Sequence, residues 1–146
     1  LHLYRRRQRQ MCIRDRKVPK PLVNVCMWAL TANTNEEAKY LFASRAAWKI
    51  GRNYGQLGSI TDPDNALSII NDNGWTEQYQ NMYQNSLVGD ANITKDKISK
   101  LVKENSIDEI AILTWCHNEN HRIKSYQIFA KAFELSEKRK PEISAV

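Results

Sequence analysis

Residues 86–133 read SLVGD, ANITKDKISKLVKENS, IDEIAILTW and CHNENHRIKSYQIFAKAF in succession. The pattern predicts a turn, a helix, a strand over 107–115 and a closing helix. The strand decides the fold. Ile110, Ala111, Ile112 and Leu113 form a short apolar run, opened by Asp108 and Glu109 and closed by Cys116, His117 and Asn118. The run lacks the polar alternation of a half-solvated strand. Both faces are therefore expected to be covered, as in a parallel sheet wrapped by helices.

Working outward, residues 22–30 (LVNVCMWAL) are apolar at nearly every position and predict a second strand buried on both sides. Thr34-Asn35-Glu36-Glu37 matches a capping box, in which the Thr34 hydroxyl accepts the Glu37 N–H and the Glu37 carboxylate reaches back to the Thr34 N–H. The helix it starts should run over 35–50, with Ala38, Leu41, Phe42 and Trp48 on a face interrupted only by Arg45. Gly51 stands as its stop. Residues 52–62 read as a loop. Pro63 opens a short helix ending near 71, and 75–85 is a second one carrying Trp75, Tyr79 and Met82. A helix from Thr94 has Ile98, Leu101 and Val102 inward, with Lys95, Lys97, Lys100 and Lys103 as a solvated face. The last helix, 118–135, should turn Arg122, Tyr126, Phe129, Ala130 and Phe133 to one side. Two strand–helix units joined through a short helical insertion favour parallel, adjacent strands with a right-handed crossover.

Three short pieces carry a family resemblance. Leu87-Val88-Gly89-Asp90, Ile107-Asp108-Glu109-Ile110 and Arg122-Ile123-Lys124-Ser125-Tyr126-Gln127-Ile128-Phe129-Ala130, in that order, resemble the C-terminal signature of the luciferase-like, flavin-dependent monooxygenases. Ala32-Asn33-Thr34-Asn35-Glu36-Glu37-Ala38 is similar to a further segment of that family. Asp90-Ala91 departs from the family's small residue and proline, and Lys124 from its second arginine. The resemblance covers about residues 21–133. It implies the last two βα units of an incomplete (β/α)8 TIM barrel, whose complete form takes about 250 residues. It also implies reduced FMN, or the deazaflavin of related barrels, as cofactor. Oxygen and a small organic substrate are the implied reactants. A flavin reductase and a second subunit are the implied partners. As the 146-residue chain, little or no catalysis is expected.

Composition bounds the alternatives. The chain has 42% hydrophobic and 26% charged residues, enough for one packed domain. Its net charge is +6, but residues 1–20 hold Arg5, Arg6, Arg7, Arg9, Arg14, Arg16, Lys17 and Lys20 against the single acid Asp15. The remainder is nearly neutral, which argues against a basic nucleic-acid face on the folded part. Residues 1–16 are set apart as a non-native or disordered basic tail that resembles translated sequencing-adapter sequence. Residues 17–135 form the domain, and 136–146 a polar tail. The competing reading is a small α/β binding module whose arginine-rich arm binds nucleic acid. Cys12, Cys26 and Cys116 form no CxxC pair, and no membrane span or secretory leader is visible, so a reduced, cytoplasmic protein is expected.

In barrels the chemistry gathers at the carboxyl ends of the strands, which here are 30–33 and 115–118. Trp115 can stack on an isoalloxazine ring, wall a substrate cavity, or serve as a core aromatic. His117 is the candidate catalytic residue, as a hydrogen-bond donor to the oxygen-activated flavin or the substrate; the alternative is a solvent-facing histidine. Arg122 is a candidate cofactor contact through a phosphate, or pairs with an acid at the barrel rim. His117 and His121 have metal-ligand spacing but no third ligand, so no metal site is expected. No phosphate-binding glycine loop is present.

Overall fold

In the computed structural model, which describes residues 22–135, the Val-rich run is strand β1 (Asn24–Thr31). Two short parallel strands flank it, β2 (Leu87–Gly89) and β3 (Glu109–Leu113), in the order β2-β1-β3. The register sets Cys26 beside Ala111, Trp28 beside Leu113 and Leu30 beside Val88. The two strands expected from sequence are therefore adjacent and parallel. A third was missed, because the expected turn at Leu87-Val88-Gly89 extends the sheet. The basic tail 1–16, Pro19 and Pro21, and the polar tail 136–146 lie outside the described residues.

Five helices connect and cover the strands: α1 (Asn35–Asn53), α2 (Pro63–Asp72), α3 (Thr76–Gln84), α4 (Ala91–Asn105) and α5 (Glu119–Ala132). The Thr34 hydroxyl accepts the Glu37 N–H at 3.1 Å, as a capping box requires. The reciprocal bond is displaced by one residue, since Glu37 Oε2 takes the N–H of Asn33 at 3.0 Å. Gly51 does not stop α1. It is buried inside the helix, which continues to Asn53. Helix α4 starts earlier than Thr94, because Asp90 caps it by accepting the N–H groups of Asn92 and Ile93, both at 2.9 Å. Lys97 is not part of a solvated face. It curls back to the carbonyls of Ser86 at 2.9 Å and Val88 at 3.2 Å, and burial lowers its pKa.

Side-chain parity along the strands defines two layers. Ala29, Ile110 and Ile112 pack with Ile98 of α4 and Phe129 of α5. Leu30 and Val88, on the opposite face, pack with Phe42 of α1 and with α2 and α3 through Ile70 and Tyr79. Phe42 is fully buried between Trp28 and Tyr79, with ring centroids at 5.6 Å and 5.9 Å. Helix α1 covers only the carboxyl half of its face. Asn24, Cys26, Glu109, Ala111 and Leu113 remain exposed. The expectation that both strands are covered on both sides is thus corrected. In β3 exposure alternates, because it is an edge strand with a helix layer on one side only. In α5 the inward residues are Ser125 and Phe129, while Arg122 and Tyr126 are exposed. No helix among the described residues is long and apolar enough to cross a membrane.

Gly89 closes β2 at a point where the chain touches α4. A Cβ there would lie 2.7 Å from Ile93 Cγ2 and 2.9 Å from Ile93 Cβ. The second atom is fixed to the helix backbone and cannot swing away. Gly89→Ala is expected to lower stability by about 1–3 kcal/mol, read as a lower urea midpoint at unchanged slope; an unchanged midpoint contradicts the contact.

Candidate functional site

The carboxyl ends of β1 and β3 are fastened to α5 by two adjacent hydroxyls. Thr31, the last residue of β1, donates its N–H to Ser125 Oγ at 3.0 Å, and both residues are buried. Thr114, just past β3, donates its N–H to the Tyr126 hydroxyl at 3.0 Å. The Thr114 hydroxyl then donates to the Ala29 carbonyl at 2.8 Å, which ties β3 to β1 directly. These bonds occupy strand-end donors that no ladder partner reaches. They also set the positions of the two loops at 30–33 and 115–118.

Two arrangements sit beside those loops. The first is a cavity of about 210 Å³ between α1, the start of α2 and the loop from β3 to α5. Tyr40, Ser44, Asp62, Cys116, His117 and His121 line it. Ser44 Oγ and His121 Nδ1 are buried there without a hydrogen-bond partner among the described residues. Asp62 caps α2 by accepting the Asn65 N–H at 3.0 Å. That bond, with a smaller contribution from the His117 imidazole, holds its carboxyl below the usual carboxylate range. Burial pushes the Cys116 thiol up to about 11, so at ordinary pH it is a neutral thiol rather than a nucleophilic thiolate.

The second arrangement is a stack of indoles and a guanidinium. Trp115 is 39% exposed and meets Trp48 edge-on, with centroids 5.6 Å apart. Arg45 lays its guanidinium 4.0 Å from the Trp28 ring centre and 6.0 Å from that of Trp115. Trp48 is held by donating its indole N–H to the Gly58 carbonyl at 3.0 Å.

Trp115 and His117 therefore lie on one loop but face different surroundings, the stack and the cavity. Arg122, in the first turn of α5, is ion-paired with Glu119 at 2.8 Å. Its charge also reaches the Cys116 thiol, opposing the effect of burial. His117 precedes the Asn118 cap, so it does not share a helix turn with His121. Among the described residues no group of three His, Cys, Asp or Glu could hold a metal ion. Sequence reasoning did not pick out Ser44, Asp62, Trp28 or Trp48 as site residues. It did mark Arg45, as the break in an otherwise apolar helix face. Together these residues can stack against a ring, offer a positive charge and hydrogen-bond a small polar group.

No family model matches the chain. Two curated proteins named luciferase-like monooxygenase, from Escherichia coli K12 and from Escherichia coli O6:H1, are each 28% identical to it. Each alignment covers 98% of this chain but 39% of the relative, so the chain spans about two fifths of the length of the curated relatives it matches. The resemblance read from the three motif pieces is borne out by these relatives. The crystal structure of apo-MsnO8 superposes with a TM-score of 0.70 at 20% identity, covering 83% of this chain and 37% of that one. The shared feature at that identity is the fold, a small parallel sheet with helices.

Ser125 and Tyr126 are the Ser-Tyr pair of the motif helix, and the hydroxyls separate by burial. Ser125→Ala leaves the Thr31 N–H buried and unpaired, with an expected cost of about 1–3 kcal/mol. Tyr126→Phe, at a residue 38% exposed, should cost less because water can replace the hydroxyl. Chemical denaturation of both variants checks the order; equal costs contradict it.

Proposed function

We propose that these residues are the carboxyl-terminal part of a luciferase-like, flavin-dependent monooxygenase built on a (β/α)8 barrel, to which β1, β2 and β3 contribute parallel strands. One observation carries this reading. Two strands 85 residues apart in sequence lie adjacent and parallel, with their carboxyl ends held by the hydroxyls of the family-like Ser-Tyr pair. Among the described residues β3 has one unpaired edge, which suits a further strand, and the half-face around Cys26 and Ala111 is uncovered, which suits a further packed layer. Named homologues aligned over nearly the whole chain support the family.

The residues present fit part of a flavin. Trp115 offers an exposed indole face to an isoalloxazine ring, while Arg45 offers a positive charge beside it. No glycine-rich cradle for the phosphate occurs among the described residues, so in this reading the phosphate is held elsewhere in the longer protein. Bound reduced FMN would supply the reaction with oxygen, whereas a deazaflavin in the same place would supply hydride transfer instead. This chain's part is to wall the ring with Trp115, to exclude water, and to hold a hydrogen-bond donor at His117. A small organic substrate, a flavin reductase, a paired subunit and a cytoplasmic location complete the reading. Nucleic acid has no part in it.

The test is flavin retention. The longer gene product, supplied with FMN, NADH and a flavin reductase, is expected to quench flavin fluorescence and to consume oxygen in a substrate-dependent way. The 146-residue chain is expected to do neither appreciably. A longer product that binds no flavin, or a 146-residue chain that turns over unaided, overturns the proposal.

A further inference from the structure

We propose that Arg45, placed against the indoles of Trp28 and Trp115, is the recognition point for a planar organic anion, an aromatic carboxylate, at the carboxyl end of the sheet. As a statement about the substrate it rests on the functional reading above; as a statement about binding it stands on the stack alone.

The stack is incomplete as it stands. Among the described residues Arg45 makes no hydrogen bond and no ion pair, and its Nε is buried without an acceptor. The Trp28 indole N–H is likewise buried without an acceptor. Two orphaned donors and one uncompensated charge thus occur in a single contact. Buried polar groups are nearly always partnered, and a half-buried guanidinium gains from an opposite charge placed against it. Burial also lowers the pKa of Arg45, which is the direction expected of a cation without a counterion.

The neighbours indicate what kind of anion fits. A guanidinium presents forked donors that match a carboxylate. Trp115 is 39% exposed, so the stack opens to solvent on that side. Leu113, the register partner of Trp28, is 42% exposed and extends the apolar surface. An inorganic anion would answer the charge but leave the indoles unused. A neutral aromatic would use the indoles but leave the donors unpaired. An aromatic carboxylate uses both.

Tryptophan fluorescence reads this site directly, since Trp28, Trp48 and Trp115 belong to it, while Trp75 is stacked on Tyr54 elsewhere. The full chain is titrated with benzoate and with its neutral counterpart benzyl alcohol. Benzoate is expected to give saturable quenching that weakens with salt, and benzyl alcohol to bind about tenfold more weakly or not at all. Arg45→Gln should abolish the preference for benzoate. Arg45→Lys should retain a reduced one, because the charge persists without the fork. Far-UV circular dichroism confirms that the variants fold, and the benzoate–benzyl alcohol comparison needs no variant. Equal binding of the two probes, or a preference that survives Arg45→Gln, overturns the proposal. Flavin retention by the longer gene product separates this result from the flavin reading. Flavin retention there without a benzoate preference here rejects the anion site and leaves the flavin reading standing. A benzoate preference without flavin retention supports the anion site by itself.

Discussion

Parallel strands cannot be joined by a tight turn, so something other than local chain geometry must bring β1 and β3 together. Here it is the backbone ladder from Asn24–Glu109 to Trp28–Leu113, reinforced by side-chain bonds at the carboxyl ends. Ser125 holds the end of β1, Tyr126 holds the end of β3, and Thr114 bonds across to Ala29. At the other end Asp108 and Glu109 donate their N–H groups to the Val23 carbonyl, while the Val23 N–H donates back to Asp108 Oδ2 at 2.9 Å. The pair is pinned at both ends across an 85-residue separation. The cavity and the indole–guanidinium stack inherit their positions from that pin, because Trp115, Cys116 and His117 follow directly on Thr114.

The layers explain why the two sides of the sheet differ in character. Helices α4 and α5 cover the Ala29, Ile110 and Ile112 face with an apolar contact. Helix α1 crosses the other face only at its carboxyl end, through Phe42 and Arg45. This leaves aromatic and cationic side chains where the strands end, and a bare stretch at Cys26 and Ala111.

Much of this was legible in the residues themselves. The apolar runs located β1 and β3, Thr34 and Glu37 located the start of α1, and Pro63 that of α2. What escaped did so for identifiable reasons. Strand β2 is three residues long, too short for any periodicity. Asp90 looked like a departure from a family pattern, yet it is the cap that moves the start of α4 forward. Exposure on β3 depends on neighbours that a local apolar run does not reveal. At the site, Trp115 and His117 were singled out by position alone. Ser44 and Trp28 come from separate elements, and only tertiary packing shows them at the site. Arg45 was visible as an interruption in an apolar helix face, and its uncompensated charge is the physical meaning of that interruption.

The most direct test of the central pairing is a cross-strand disulfide on the bare face. Cys26 is a free, exposed thiol whose register partner is Ala111. Neighbouring strands lie about 4.8 Å apart, close enough for a disulfide to bridge the pair. Under mild oxidation, peptide mapping of the Ala111→Cys variant should recover a cross-link to Cys26 in higher yield than the Glu109→Cys or Leu113→Cys variants give. A preferred cross-link from position 109 or 113, or none from any of the three, would contradict the parallel register on which the site is built.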